Sequence, residues 1–164
     1  MNKLSVSRLL IVDPYNKSHI KKINEYETRN NNSSDIVDFL KRITTSQTKE
    51  EYLKNKRNGN EIEERLFIEK DSLLLDGCQI QGEKDIKTGR ITLSTTKNIT
   101  NKKKIVSLAV DYALDSLKLE EVFIMLDPAD KGMINYLSKQ GYEYLGEEQG
   151  NILFLKEKED RLKG

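Results

Sequence analysis

ITLSTT (Ile91–Thr96), KKKIVSLAVDYALDSL (Lys102–Leu117) and VFIML (Val122–Leu126) follow one another in the chain, and their order decides the fold class. The first is a β-rich run. In the second, Ile105, Leu108, Ala109 and Tyr112 recur at i, i+3, i+4 and i+7, and Val106, Val110, Ala113 and Leu117 widen the stripe, which predicts a long amphipathic helix. The third is continuously apolar, which predicts a strand covered on both faces and central to a sheet. Strand, helix, buried strand is the crossover unit of an α/β domain.

Upstream, Arg65–Glu69 (RLFIE) and Leu73–Ile80 (LLLDGCQI) are β-rich runs joined at hairpin length by Lys70-Asp71-Ser72. A second hairpin around Asp85 to Gly89 leads into Arg90–Thr96, so a three-stranded antiparallel meander is expected. Before it, Arg8–Asp13 reads as a first strand stopped by Pro14. Ile20, Ile23 and Tyr26, then Ile36, Val37, Phe39, Leu40 and Ile43, mark two helices separated by Asn30–Ser34, with Ser34 and Asp35 as caps of the second. A third, short helix is expected at Lys49–Lys56. Downstream, Met133, Ile134 and Leu137 share a face of a short helix that Gly141 terminates, and Tyr142–Leu145 with Ile152–Lys156 form a last hairpin. The expected core is Ile91, Leu93, Ile105, Leu108, Ala109, Tyr112, Val122, Ile124, Leu126, Ile134 and Leu137.

Composition narrows the function classes. The 164 residues suit one domain spanning 1–164. With 28 Lys plus Arg against 27 Asp plus Glu, no long-range field gathers nucleic acid or an anionic membrane, so neither is an expected partner. Cys78 is the single cysteine, which leaves no intramolecular disulfide and no multi-cysteine zinc site and fits a reducing compartment. Met1–Ser7 has no signal-peptide run and nothing later reaches membrane-spanning length, so the cytoplasm is the expected location. The single histidine, His19, removes histidine-based relays from the later core and reads as a surface or capping residue.

This order of elements resembles the GNAT superfamily of N-acetyltransferases from end to end, and most specifically over Arg90–Leu145, where Gly141-Tyr142 stands in for the family's Gly-Phe. The resemblance implies an α/β fold with a mixed, mostly antiparallel central sheet flanked by helices. It implies acetyl-CoA as co-substrate and a primary amine, on a small molecule or a protein, as acceptor by direct attack on the thioester. The fourth strand and the buried strand after it would splay apart to admit the pantetheine arm, lined by Thr95 and Thr96. The diphosphate would sit at the start of the long helix, over Asn101, Lys102, Lys103, Lys104 and Ile105, where helical N–H groups lack partners.

Two features depart from the family. Its phosphate loop has small residues where this chain has Lys104 and Val106, so lysine charge would replace backbone access. Its thiolate-protonating tyrosine falls on Leu137, which leaves Tyr136, about 100° away around the helix, as the candidate acid. No carboxylate lies within Arg90–Thr96, and Glu83 or Asp85 would need a water to act as base. A GNAT-like module that binds or regulates without catalysis is the competing expectation. The acceptor side is expected in Asn16–Asn60, whose mixed charges favour neither cationic nor anionic substrates.

Overall fold

The computed structural model describes residues 6–30, 35–93 and 98–159. Their elements are β1 (Arg8–Ile11), α1 (Lys17–Asn30), α2 (Asp35–Ser46), α3 (Lys49–Asn58), β2 (Glu61–Lys70), β3 (Leu73–Glu83), β4 (Thr88–Leu93), α4 (Ile99–Asp111), β5 (Glu121–Leu126), α5 (Lys131–Lys139), β6 (Glu143–Glu148) and β7 (Asn151–Glu157). The strands form one sheet in the order β1-β2-β3-β4-β5-β7-β6. Every pairing is antiparallel except β4 with β5. The expected mixed, mostly antiparallel sheet flanked by helices is therefore what the chain forms, and β7 slots between β5 and β6. Among the described residues no helix is long and apolar enough to cross a membrane.

Each face of the sheet has its own core. On one, α4 and α5 bury Ile105, Val106, Ala109, Val110, Met133 and Leu137 against Leu66, Ile80, Ile91, Val122, Ile124 and Phe154. On the other, α1, α2 and α3 bury Ile23, Tyr26, Phe39, Ile43 and Tyr52 against Leu10, Phe67 and Leu74. Of the expected core, Leu93, Leu108, Tyr112 and Ile134 are only half-buried and pack on its margin, while the other seven are buried. β5 departs from its reading: Val122, Ile124 and Leu126 are buried, whereas Phe123 and Met125 are half-buried on the opposite face. The continuous apolar run marked an interior strand whose second face is only partly covered.

Boundaries moved where polar residues sit in regular structure. β2 begins at Glu61, four residues before its apolar run, because Glu61 and Glu63 stay in register with Glu83 and Gln81 of β3. Lys70 and Leu73 are joined through Asp71 and Ser72 at φ of 52° and 65°, the left-handed pair of a type I′ turn made without glycine. α3 runs to Asn58 and opens on a capping box, in which Thr48 accepts from the Glu51 N–H and Glu51 from the Thr48 N–H. α4 gives way at Tyr112–Ser116 to a π-helical turn, closed by Leu117 N–H to the Tyr112 carbonyl at 3.0 Å. Gly141, at φ 83°, ends α5 as expected, and the Tyr142 N–H closes on the Leu137 carbonyl. The cap at Ser34 lies outside the described residues.

His19, expected at the surface or as a cap, is neither: the cap of α1 is Asn16, whose side chain accepts from the His19 N–H, while half-buried His19 lies inside the helix and its Nδ1 accepts from the Asp13 N–H. Burial, against the opposing pull of Asp13, holds its pKa below the ordinary 6.5. The unfolded chain therefore takes the proton first, so this contact stabilises the fold above the unfolded value and is lost as pH falls through the folded one. Melting temperature should fall on going from about pH 7.5 to about pH 5, and fall less in His19→Gln, whose amide oxygen still accepts. An equal fall would remove His19 from the acid response. Ile124 is fully buried at the centre of the α4 face. Ile124→Ala should cost about 2 to 5 kcal/mol in urea unfolding; a loss under about 1 kcal/mol would contradict that packing.

Candidate active site

The parallel ladder of β4 and β5 runs from Thr88/Glu121 to Thr92/Met125 and stops. One residue further, Leu93 pairs only with Cys78 of β3 and Leu126 only with Ile152 of β7. Among the described residues the two strands thus share no ladder pair beyond Thr92/Met125, which leaves a gap between Leu93 and Leu126 in the described sheet. Backbone polar groups in such a gap need a partner from water or a ligand. Thr95 and Thr96, expected to line it, lie outside the described residues.

α4 starts beside this gap and one turn earlier than its lysines imply. Asn98 is the N-cap and accepts from the Asn101 N–H at 3.0 Å, while the Lys102 N–H closes the first helical bond on the Asn98 carbonyl. The positive end of the helix is therefore Ile99–Asn101, and Lys102 onward belongs to its body. An Asn followed by an apolar residue ahead of the stripe is the sequence signal that marks this start.

Helical rotation then disperses the expected cluster. The Lys102 ammonium is mostly buried and ion-paired at 2.7 Å with Asp130, the N-cap of α5. Lys103 lies over the Tyr136 ring at 5.1 Å. Lys104 is exposed, and the Ile105 and Val106 side chains are fully buried in the core. Gly132 permits the close approach of the two helix starts, because a Cβ there would stand 3.2 Å from Ile99 Cδ1. Lys102 and Tyr136 are thus both brought to the α4–α5 seam, while Asn101 sits in the first turn. Leu137, which the sequence resemblance aligns with an acid, is buried in the core.

Three other titratable groups bear on this face. Burial pushes the Cys78 thiol strongly up, which makes it an inert core residue. Tyr112 donates to Glu64 at 3.2 Å, and Lys56 pairs with the other Glu64 oxygen at 3.0 Å, so the π-helical turn after α4, β2 and α3 meet on one buried carboxylate. Burial, then the neighbouring Tyr136, pushes Tyr142 up to about 12, and the Lys156 ammonium lies over its ring.

On the opposite face of the sheet, Glu61, Glu63, Gln81, Glu83, Arg90 and Phe123 line an open cleft of about 650 Å³. Glu63 is held by a two-pronged Arg42 contact at 2.8 and 2.9 Å, whereas Glu61 and Glu83 stand directly opposite each other on β2 and β3. This cleft beside β4 is thus built from the strands of the meander and Phe123 of β5, outside the Asn16–Asn60 segment. Among the described residues no group of three His, Cys, Asp or Glu side chains is placed to hold a metal ion.

No family model matches the sequence, and no curated protein matches it either. Solved structures do match, in number, and those that follow are GNAT N-acetyltransferases. A ribosomal-protein-S5-alanine acetyltransferase from Vibrio fischeri superposes with a TM-score of 0.67 at 13% identity, over 96% of this chain and 98% of that one. The N-acetyltransferase PseH from Campylobacter jejuni, in complex with acetyl coenzyme A, gives 0.59 at 11% identity over 94% and 100%. FdhC, a nucleotide-linked sugar GNAT, gives 0.60 at 16% identity over 92% and 86%. The fold is therefore the one these N-acetyltransferases have, shared along nearly the whole chain.

The seam between α4 and α5 has a direct test. Lys102→Ala and Asp130→Ala in a double-mutant cycle should show a coupling of about 1 kcal/mol or more in urea unfolding. Additivity within about 0.3 kcal/mol would mean the ion pair does not fasten the two helix starts.

Proposed function

We propose that this chain is an acyl-CoA-dependent N-acetyltransferase: one domain, 1–164, that passes an acetyl group from acetyl-CoA to a primary amine by direct attack on the thioester. The observation that carries the reading is the parting of β4 and β5 at Leu93/Leu126 beside the capped start of α4. The gap offers strand-edge groups to an extended pantetheine amide chain, and the first turn Ile99–Asn101 offers a positive helix end to the diphosphate. Acetyl coenzyme A in the Campylobacter jejuni structure of the same fold supports the choice of donor. Thr95 and Thr96 are proposed to flank the pantetheine, with Asn101, Lys102, Lys103, Lys104 and Ile105 forming the helix segment nearest the phosphates. Cytoplasm is the proposed compartment.

Chemistry in such a site is mostly positioning. The amine, unprotonated, attacks the thioester carbonyl, the tetrahedral oxyanion is met by strand-edge N–H groups, and the thiolate leaves with a proton. Tyr136, on the α4–α5 seam under the Lys103 ammonium, is the proposed donor of that proton. The amine approaches from the sheet face that carries Arg90 and Phe123 and gives its proton to water.

A non-catalytic GNAT-like module remains the second reading, and one observation favours it: Lys102 and Lys103 are engaged by Asp130 and Tyr136. Calorimetric titration with acetyl-CoA separates the two. The enzyme reading expects saturable binding that weakens several-fold between low salt and about 0.5 M, because lysine charge assists it. No binding at about millimolar acetyl-CoA, a dissociation constant near which only about 4 kcal/mol is gained, would end that reading. Once an acceptor is found, Tyr136→Phe should lower kcat about ten-fold or more with little change in KM; an unchanged kcat would leave Tyr136 as a packing residue.

A further inference from the structure

Two surfaces at distant places on the sheet are complementary. Beside the β2–β3 end, Lys17, Ile20, Lys21, Arg29 and Leu73 line a groove of about 680 Å³ along the outer face of α1. Lys17 and Lys21 are four residues apart on one helix face, Leu73 is 43% exposed, and Glu25 is the single acid in the lining. At the far edge, β6 pairs only with β7 and carries Glu143, Glu147 and Glu148 around Tyr144 and Leu145, which are 56% and 43% exposed. Among the described residues none of these two lysines and three glutamates has an ion-pair partner.

We propose that the β6 hairpin of one copy docks in the α1 groove of a second copy, so that the chain associates head to tail with itself. The occupant is argued from charge and from shape. A net charge of +1 hides two patches of opposite sign, each with exposed apolar side chains inside its charged border, and such bordered apolar surface marks protein contact. The chain carries its own complement, so no foreign acidic partner is required. The groove lies beside β3 and the hairpin at β6, four strands away in the sheet order, so the two patches cannot meet within a copy. The contact is therefore between unlike surfaces, and its repetition builds a closed ring or an open chain rather than a two-fold dimer. Tyr144 and Glu147, which share one face of β6, would seat against Leu73 and Ile20 and against Lys17 and Lys21, with Glu148 on the strand's other face at the rim of the contact.

Sedimentation velocity of the full chain tests this, with circular dichroism melts as the folding control. Wild type should show concentration-dependent association up to about 200 µM in low salt, weakened about ten-fold or more near 0.5 M salt. Lys17→Glu with Lys21→Glu should be monomeric, and so should Glu147→Lys with Glu148→Lys. All four sites are solvent-facing charges, so the melts should hold. Mixing the two reversed variants should restore association, since the reversed groove of one now meets the reversed hairpin of the other. A monomeric wild type would overturn the proposal and leave the groove to an acidic segment of another protein. Association that survives both reversals, or reversals that the mixture does not rescue, would equally overturn it.

Discussion

The one parallel joint in the sheet, β4 against β5, constrains everything around it. Antiparallel neighbours can be tied by two residues, as Asp71 and Ser72 tie β2 to β3, but a parallel pair needs a crossover long enough to return the chain to the same end. Residues between Leu93 and Glu121 supply it, and α4 is its rigid part. Because α4 buries Ile105, Val106, Ala109 and Val110 against the sheet, its first turn comes to rest at the end where the β4–β5 ladder has stopped. Among the described residues the end of that ladder and a positive helix end are thereby placed side by side. β5 then accepts β7 on its other flank, which sends β6 to the outer edge with its glutamates in solvent.

The lysines show why composition misleads about a helix start. Three consecutive cations read as one patch in a loop, but on a helix successive residues point about 100° apart. One consequence is that Lys102 turns toward Asp130, Lys103 toward Tyr136 and Lys104 toward water. A lysine near a positive helix end is slightly unfavourable, and here Asp130 offsets it while capping α5. The same ion pair thus settles a local electrostatic conflict and joins two helices. An anion at the first turn of α4 would meet a start already framed by Asn98 and by Ile99 against Gly132.

Most of the architecture was legible because apolar periodicity reports which side of an element meets the core. The 3.6-residue stripe of α4, the VFIML run and the αL stop at Gly141 each carried their element with few boundary errors. What escaped was decided by polar groups whose partners are distant in sequence. The start of β2 depends on Glu61 facing Glu83, a pairing visible only once the hairpin is in register. The role of Asp130 depends on α5 lying beside α4, and the cleft beside Arg90 is formed by side chains from four strands. Tyr136 could be placed on α5 but not aimed, since its direction is set by which face Met133 and Leu137 bury.

The account rests on the gap at Leu93/Leu126 and the α4 start being one ligand seat, and amide chemical shifts read that seat residue by residue. In a two-dimensional NMR titration with coenzyme A, the amides of Leu93, Leu126, Ile99, Thr100 and Asn101 should shift together along one saturating curve, while those of β6 and of the outer face of α1 stay in place. Shifts confined to exposed lysines elsewhere, or no shift at the two strand ends when the ligand is saturating, would contradict the account.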